Sequence, residues 1–418
     1  MNFQLSKFIL TIVISIYHIG NLPTMATQED NSPSELQNVE ALRSVSTGLN
    51  KFAAEFYKQT SDNLESNLIC SPLSAGAVLS MTAHGAAGNT EQQMRTSLHL
   101  PNDRAIGLRG FQSLFETLNS VTNVQLSLAN KIFVSKDLEV KDNFLNVTAN
   151  SFKSGVENLD FTNTQVASKK INNWCEEKTK NLIKDVIKPD DLIDAAMVLV
   201  NAVYFKGTWE KKFDPSNTFN KTFYINENTT HDVLMMRQRN KLNYGELSEL
   251  DAIFVELPYK SENENDSTSM FIICPNQING LEKAQNNIEK IDFKQLHDQH
   301  QMTEIRLFMP KFKIESTMDL KPVLKKMGMT DMFNNADFSE ISNTPLSVAK
   351  VIQKAFIEVN EEGSEAAAIT AAIHMVRTSA FLRPEPLELS IDRPFIYAIY
   401  HAPTNSILFQ GHILQLPA

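Results

Sequence analysis

The chain has 418 residues, 42% hydrophobic and 21% charged, enough apolar material for a sizeable core and too much for a disordered chain. Lys+Arg 39 against Asp+Glu 49 leaves a formal charge of −10, which disfavours a nucleic-acid binder, because that class needs a positive field to displace counterions. Gly 14 and Pro 16 exclude collagenous and Gly/Pro-rich architectures, and three widely spaced cysteines (Cys70, Cys175, Cys274) build neither a disulfide framework nor a CxxC metal site.

Residues 1–26 read as a secretory signal peptide. Lys7 precedes an apolar run, Phe8–Ile19, shorter than the roughly 20 residues a bilayer span needs, with cleavage after Gly20 or Ala26. Sequons at Asn146, Asn220, Asn228 and Asn265 agree with a secreted, extracellular glycoprotein. Residues 27–44 are polar and are expected to form a loose extension ahead of a single domain, 45–418. From Val45 onward, Leu49, Phe52, Ala53 and Phe56 recur at helical spacing. Ser71–Ser74 opens a second helix, with Pro72 in the first turn, where its missing N–H costs least. Leu126–Phe133 and Ala196–Phe205 read as strands, the second so continuously apolar that both its faces should be covered. Ser168–Val186 reads as an amphipathic helix, and Leu307–Ile314, Ile352–Val359 and Leu389–Leu416 as further strand material. Helices and strands mix without a βαβ rhythm, a repeat or a linker, which argues for one α+β domain.

The sequence carries no G-x-S-x-G elbow, H-E-x-x-H pair, P-loop or dinucleotide fingerprint, and its nine histidines are scattered. No enzyme activity, cofactor or metal is therefore expected. The informative stretch is Val359–Leu389, a connection of roughly 25 residues where about four to six are usual. Every second residue from Ser364 (Ser364, Ala366, Ala368, Thr370, Ala372) is small and uncharged, a period-2 face suited to packing inside a sheet, although the alanines favour helix locally. Two readings follow: a surface helix with an alanine face, or a segment exposed in one state and inserted as a strand in another, pivoting on Gly363.

Several ordered motifs now carry a family resemblance. They are Asn67-Leu-Ile-Cys-Ser-Pro-Leu-Ser74 with Gly85-Ala-Ala-Gly-Asn-Thr90; Asn201-Ala-Val-Tyr-Phe-Lys-Gly-Thr-Trp209; Met309-Pro-Lys-Phe-Lys-Ile-Glu315; Leu324-Lys-Lys-Met-Gly328 with Ala336-Asp-Phe-Ser339; and Asp392-Arg-Pro-Phe395 with Pro403-Thr-Asn405. From about Leu42 to Leu416 the chain resembles a serpin. The resemblance implies a metastable α+β fold with three β-sheets, a dominant mixed sheet A, about nine surrounding helices and an exposed reactive-centre loop at about 361–387. It implies a suicide inhibitor, whose loop is attacked by a serine protease and then inserts into sheet A with the acyl-enzyme attached.

Carried over residue by residue, the loop hinge is Glu361, Gly363, Ser364, Glu365, Ala366, Ala367 and Ala368, small except for its acidic members, with Ile369 a departure on the outward face. Family spacing puts the reactive bond at Arg377–Thr378, and an Arg there suits a trypsin-like protease with an acidic pocket. Met375 or Val376 are the alternatives, for a chymotrypsin-like or elastase-like target. A non-inhibitory carrier or chaperone is the other class kept open. Ser71, Ser74 and Asn201 match the shutter beneath sheet A and Trp209 the breach where insertion begins; Gln353 stands where many members have a shutter His. Glu361 is expected to pair with Lys311, and Ser364 to be among the first side chains to enter the sheet, where its small hydroxyl finds a backbone partner. The expected partner is an extracellular trypsin-like protease in a covalent complex with a monomer, without nucleic acid or membrane. About Thr90–Arg104, the stretch matched to helix D, has no basic cluster beyond Arg95 and Arg104 to support heparin binding, and activation by a polyanion stays open.

Overall fold

In a computed structural model of the chain, residues 33–62, 64–262, 266–364 and 385–417 are described. In chain order the elements are α1 (Pro33–Thr60), β1 (Leu68–Cys70), α2 (Pro72–Ala83), α3 (Gly88–Ser97), α4 (Arg104–Ser120), β2 (Val124–Ser135), α5 (Asp142–Phe152), β3 (Gly155–Leu159), α6 (Thr164–Lys178), β4 (Met197–Thr208), β5 (Phe219–Asn226) and β6 (Thr229–Leu247). They continue as β7 (Ala252–Pro258), β8 (Thr268–Pro275), α7 (Leu281–Asn286), α8 (Phe293–Gln299), β9 (Met302–Pro310), β10 (Phe312–Asp319), α9 (Lys321–Lys326), β11 (Val348–Val359), β12 (Gly363–Ser364), β13 (Leu387–Ser390), β14 (Phe395–His401) and β15 (Ser406–Ile413). Every strand lies in the unit from Asn38 to Ala418; of the unit Met1–Gln37, only the exposed start of α1 is described.

The described strands form two sheets. A six-stranded mixed sheet has the order β10-β11-β12-β4-β2-β3, and a nine-stranded sheet runs β1-β15-β14-β8-β7-β6-β9-β13 with β5 also on β6. The long strand β6 pairs with β5 over Thr229–Met235, with β9 over Met235–Asn243 and with β7 over Asn243–Leu247. The second and third of the expected sheets are therefore joined through β6 by continuous hydrogen bonding.

Strand β4 sits in the middle of the six-stranded sheet, and its apolar run follows from cover on both faces. Met197, Leu199, Val203 and Phe205 point into the main core, and Val198, Val200, Ala202 and Tyr204 into a second core with Ile171 and Cys175 of α6. Helix α2 packs beneath it, all twelve residues buried, with Ser71 as N-cap accepting from Ser74 N and Pro72 in the first turn.

Four local expectations are corrected. Helix α1 begins at Pro33, so the described part of the supposed loose stretch 27–44 is helical; Ala41 and Val45, one turn apart, are both buried and extend the apolar stripe backwards. Ser168–Val186 is not one helix: α6 starts at Thr164 and ends at Lys178, and Lys180, Asn181 and Asp185 adopt left-handed backbone. The Asn172 carboxamide replaces the lost helical bonds, accepting from Val186 N (2.9 Å) and Ile187 N (3.0 Å), so Ile183, Val186 and Ile187 still lie on the sheet. Leu307–Ile314 breaks at Lys311, with β9 in one sheet and β10 in the other. The range matched to helix D holds α3 and the turn into α4, and its Arg95 and Arg104 both pair with Glu91.

The three cysteines are buried and free, and burial pushes each thiol up to about 12. Among the described residues no group of three or more His, Cys, Asp or Glu could hold a metal, and no helix is long and apolar enough to cross a membrane.

Candidate functional site at the gap in the mixed sheet

Strands β11 and β4 lie side by side in parallel from Val348/Met197 to Phe356/Tyr204. Beyond Phe356 they part, and β12 fills the gap. Ser364 pairs with Val359 on one side and Gly207 on the other, and Gly363 faces Thr208. The start of the long loop is thus the first rung of a strand between β11 and β4.

The reversal that delivers it is a turn at Asn360–Gly363, closed by Asn360 N donating to Gly363 O (2.8 Å) and by the Asn360 side-chain oxygen accepting from Glu362 N (3.0 Å). Gly363 has φ +150°, and a Cβ there would lie 1.9 Å from Gly207 O, so no side chain is admitted. Ser364 is fully buried, its Oγ 2.8 Å from the Tyr259 hydroxyl. Sequence reasoning expected a backbone partner for this hydroxyl; a side chain supplies it. Tyr259 in turn stacks on Trp209, ring centroids 4.5 Å apart and 11° from parallel. Trp209 donates from Nε1 to Asn360 O (2.9 Å) and from its backbone N to Glu362 O (2.9 Å).

Glu361 and Lys311 form the expected ion pair, Nζ to Oε2 2.8 Å, and Thr218 Oγ1 donates to Glu361 Oε1 at 2.7 Å. Burial pulls the Glu361 pKa upward, but the Lys311 and Thr218 hydrogen bonds outweigh it and hold the carboxyl below its ordinary value. Glu362 pairs with Lys212.

Midway down the sheet, a polar cluster joins three strands to α2. Gln353 of β11 stands opposite Asn201 of β4, which stands opposite Asn130 of β2. Gln353 Nε2 donates to Asn201 Oδ1 (2.7 Å) and Ser71 O (2.9 Å), and its Oε1 accepts from Ser71 N (2.9 Å). Asn201 Nδ2 donates to Ser74 Oγ and Asn130 Oδ1; Ser74 Oγ donates to Asn130 Oδ1 (3.0 Å), and Ser71 Oγ to Leu408 O (2.6 Å). All five side chains are buried, so each bond works in a low dielectric and each lost partner leaves an orphan. An amide at 353 does this without titrating.

Asn130, Tyr259, Thr218 and Asn360 were missed by sequence reasoning. Asn130 had a signal: it is in phase with Leu128 and Ile132 on the core face of its strand, a polar group where a partner is needed. Tyr259 had none, because only tertiary structure brings it to the hinge. Arg377, Thr378, Met375, Val376 and Glu365, Ala366, Ala367 and Ala368 lie outside the described residues, as do residues 1–26 and Asn265. Asn146, Asn220 and Asn228 are exposed.

A mixed sheet whose parallel central strands part at one end to admit the first residues of a long connection is the arrangement of the serpin class. The chain belongs to that family: the family model for serpin (serine protease inhibitor) matches residues 47–416. It is similar to the antitrypsin of Bombyx mori, 37% identical over 84% of this chain and 90% of that protein. Antichymotrypsin-2 of the same species is 38% identical (84% and 93% covered), and human serpin B4 37% (88% and 99%). Among solved structures, Serpin48 of Tenebrio molitor superposes with a TM-score of 0.79 at 30% identity, covering 89% of this chain and 98% of that one. Human thyroxine-binding globulin complexed with thyroxine does so with a TM-score of 0.79 at 29% identity, covering 90% and 99%.

Proposed function

We propose that the chain is a secreted suicide inhibitor of trypsin-like serine proteases. The observation that carries this reading is the rung made by Gly363 and Ser364: the hinge is threaded between β11 and β4 with backbone partners on both sides. A protease serine attacks the carbonyl of Arg377, the amide to Thr378 breaks, and the ester joining protease to Arg377 is the acyl-enzyme. Freed from its C-terminal anchor, the segment Ser364–Arg377, about 14 residues and roughly 46 Å long at about 3.3 Å per residue, continues the strand that Ser364 starts. Each further rung replaces the parallel β11–β4 pairing by antiparallel pairs on both sides. Breaking that pairing requires the Gln353–Asn201 bond to part, so the buried polar cluster sets the resistance to opening. The release of strain on insertion drags the protease away before water can cleave the ester. The protein itself turns over no substrate.

Secretion is supported by the leader-like N-terminus and by three exposed sequons. A trypsin-like target is supported by Arg377, with cleavage after Met375 or Val376 as the alternative. The likeness to thyroxine-binding globulin favours a second reading, a carrier. Mixing the purified chain with trypsin separates the two: an inhibitor gives a complex stable on a denaturing gel and a released fragment beginning at Thr378, whereas a carrier gives cleavage or nothing.

A further inference from the structure

Away from the gap, a cavity of about 520 Å³ opens where the end of α8 meets β6, β7 and β8. Its floor is a buried charge network. Glu256 of β7 lies with Oε1 2.7 Å from His297 Nδ1 of α8, and its Oε2 accepts from Asn243 Nδ2 of β6 at 2.8 Å. Asn243 Nδ2 also donates to Leu296 O (2.8 Å), and Asn243 Oδ1 accepts from Gln301 N (3.0 Å). The carboxylate and the amide are thus engaged by internal partners. Because Nδ1 carries the proton shared with Glu256, Nε2 is the ring nitrogen left for a ligand.

The other groups facing this space are mostly donors. Ser267 and Ser269 line it, His300 lies with its ring 5.6 Å from that of His297, and Lys211 and Lys241 stand at the rim against the one rim carboxylate, Glu210. Leu242, Pro258 and Met302 give apolar wall. The volume suits an organic molecule of modest size, held by an apolar body and a few placed polar groups. A cation would find its best ligand, Glu256, already neutralised.

We propose that this cavity binds a small organic carboxylate, its anionic head held by His297 Nε2–H and the serine hydroxyls and its apolar body lying against Leu242, Pro258 and Met302. Its lining includes none of the residues from Val359 to Leu389 that carry the proposed inhibitory function. The hydrogen bond to Glu256 raises the His297 pKa against the effect of burial, with Asp298 adding to the rise and Lys294 opposing it. Head-group binding therefore weakens as pH rises and the imidazolium is lost; Glu210, Lys211, Lys241 and His300 are the remaining charged or titratable groups around the cavity, and Tyr400 of β14 lies with its ring 6.1 Å from that of His297.

The test is calorimetric titration of the full chain with 2-naphthoate and with neutral 2-naphthamide. The expected result is saturable one-to-one binding of naphthoate, at least tenfold tighter than the amide and weakening as pH is raised above the ordinary histidine range. His297→Gln should lower naphthoate affinity tenfold or more and leave the amide unchanged. Should that variant fail to fold, Lys241→Glu at the exposed rim should weaken naphthoate several-fold while sparing the amide. No saturable heat with naphthoate, equal affinity for the two probes, or unchanged naphthoate affinity in the folded variants would leave the network as a clamp holding α8 to the sheet, and overturn the site.

Discussion

On the proposed mechanism, Ser364→Arg should turn the chain from an inhibitor that traps its protease into a substrate that is merely cut. In the structure the Ser364 side chain is fully buried, with the Tyr259 hydroxyl as partner beneath the Trp209 stack, and it holds the first rung between Val359 and Gly207. Ser364→Arg would have to place a guanidinium where the only described side-chain partner is a neutral phenol. Burying such a charge without a counter-ion costs several kcal/mol, taken here as about 3 kcal/mol after partial escape towards solvent. Because Ser364 is already buried in the intact chain, the variant hinge avoids this cost by leaving the slot before cleavage; re-entry then bears it, and insertion slows by about 150-fold at about 1.4 kcal/mol per tenfold. Hydrolysis of the acyl-enzyme is untouched, so flux passes to the cleaved, released inhibitor. The assay is the stoichiometry of inhibition against trypsin, read beside the melting temperature of the cleaved product. Wild type should titrate near one to one, whereas Ser364→Arg should be consumed in tens of equivalents, and its cleaved form should not gain heat stability. Glu365→Arg, one residue on and outward by the period-2 pattern, is the control and should inhibit nearly normally. Equal stoichiometries for the two variants would refute the strand-insertion reasoning.

Other predictions follow from the same geometry. Arg377→Ala should lose trypsin inhibition by orders of magnitude, because the acidic pocket of the protease loses its cation; a wild-type fragment mass other than that of Thr378–Ala418 would reassign the bond. Glu361→Lys sets two cations against each other where Lys311 now pairs with a carboxylate, so polymers on a native gel should form faster on mild heating; equal monomer lifetimes would remove this role for the pair. Gln353→Ala orphans Ser71 N and Asn201 Oδ1 at about 1–3 kcal/mol per unpaired group, while Ser71 O keeps its bond from Ala75 N, and should lower the unfolding midpoint in denaturant, which an apolar site of equal shape would not. His412, buried between Tyr57 and Ser66 O, has its pKa lowered to about 4, chiefly by desolvation. Its folded pKa lies below the unfolded one, so the stability is present above about pH 6.5 and is lost as pH falls towards 4, by about 3 kcal/mol. His412→Gln should flatten that part of the stability–pH curve, and an unchanged slope would assign the acid sensitivity elsewhere.

How much of this could be read from the sequence depended on whether the physical signal was local. The almost continuous apolar run of β4, interrupted by Asn201, announced a strand covered on both faces, and Ser71-Pro72 announced a capped helix, because burial and capping leave marks on adjacent residues. The early start of α1 was also written in the spacing of Ala41 and Val45, but polar neighbours masked it. The end of α6 was not legible: Ile183, Val186 and Ile187 continue its apolar pattern and are buried, yet the backbone reaches them through left-handed residues stabilised by Asn172, a bond that no periodicity reveals. Within the site, the Glu361–Lys311 pair and the Ser71–Ser74–Asn201–Gln353 set came from family resemblance. The members found only in three dimensions, Tyr259 and Thr218, touch the hinge across more than 100 positions of chain.

The stack of Trp209 on Tyr259 has an optical consequence. The chain contains only two tryptophans, and the other, Trp174, lies on α6 against Phe133, with the Lys131 ammonium 5.3 Å from its ring. A Trp174→Phe form would leave one indole, held by its N–H on Asn360 and pressed against the phenol that grips the first inserting residue. Its emission then reports the hinge directly. If the loop enters the sheet as proposed, its passage becomes a fluorescence transient that can be timed in a stopped-flow instrument, without an attached dye.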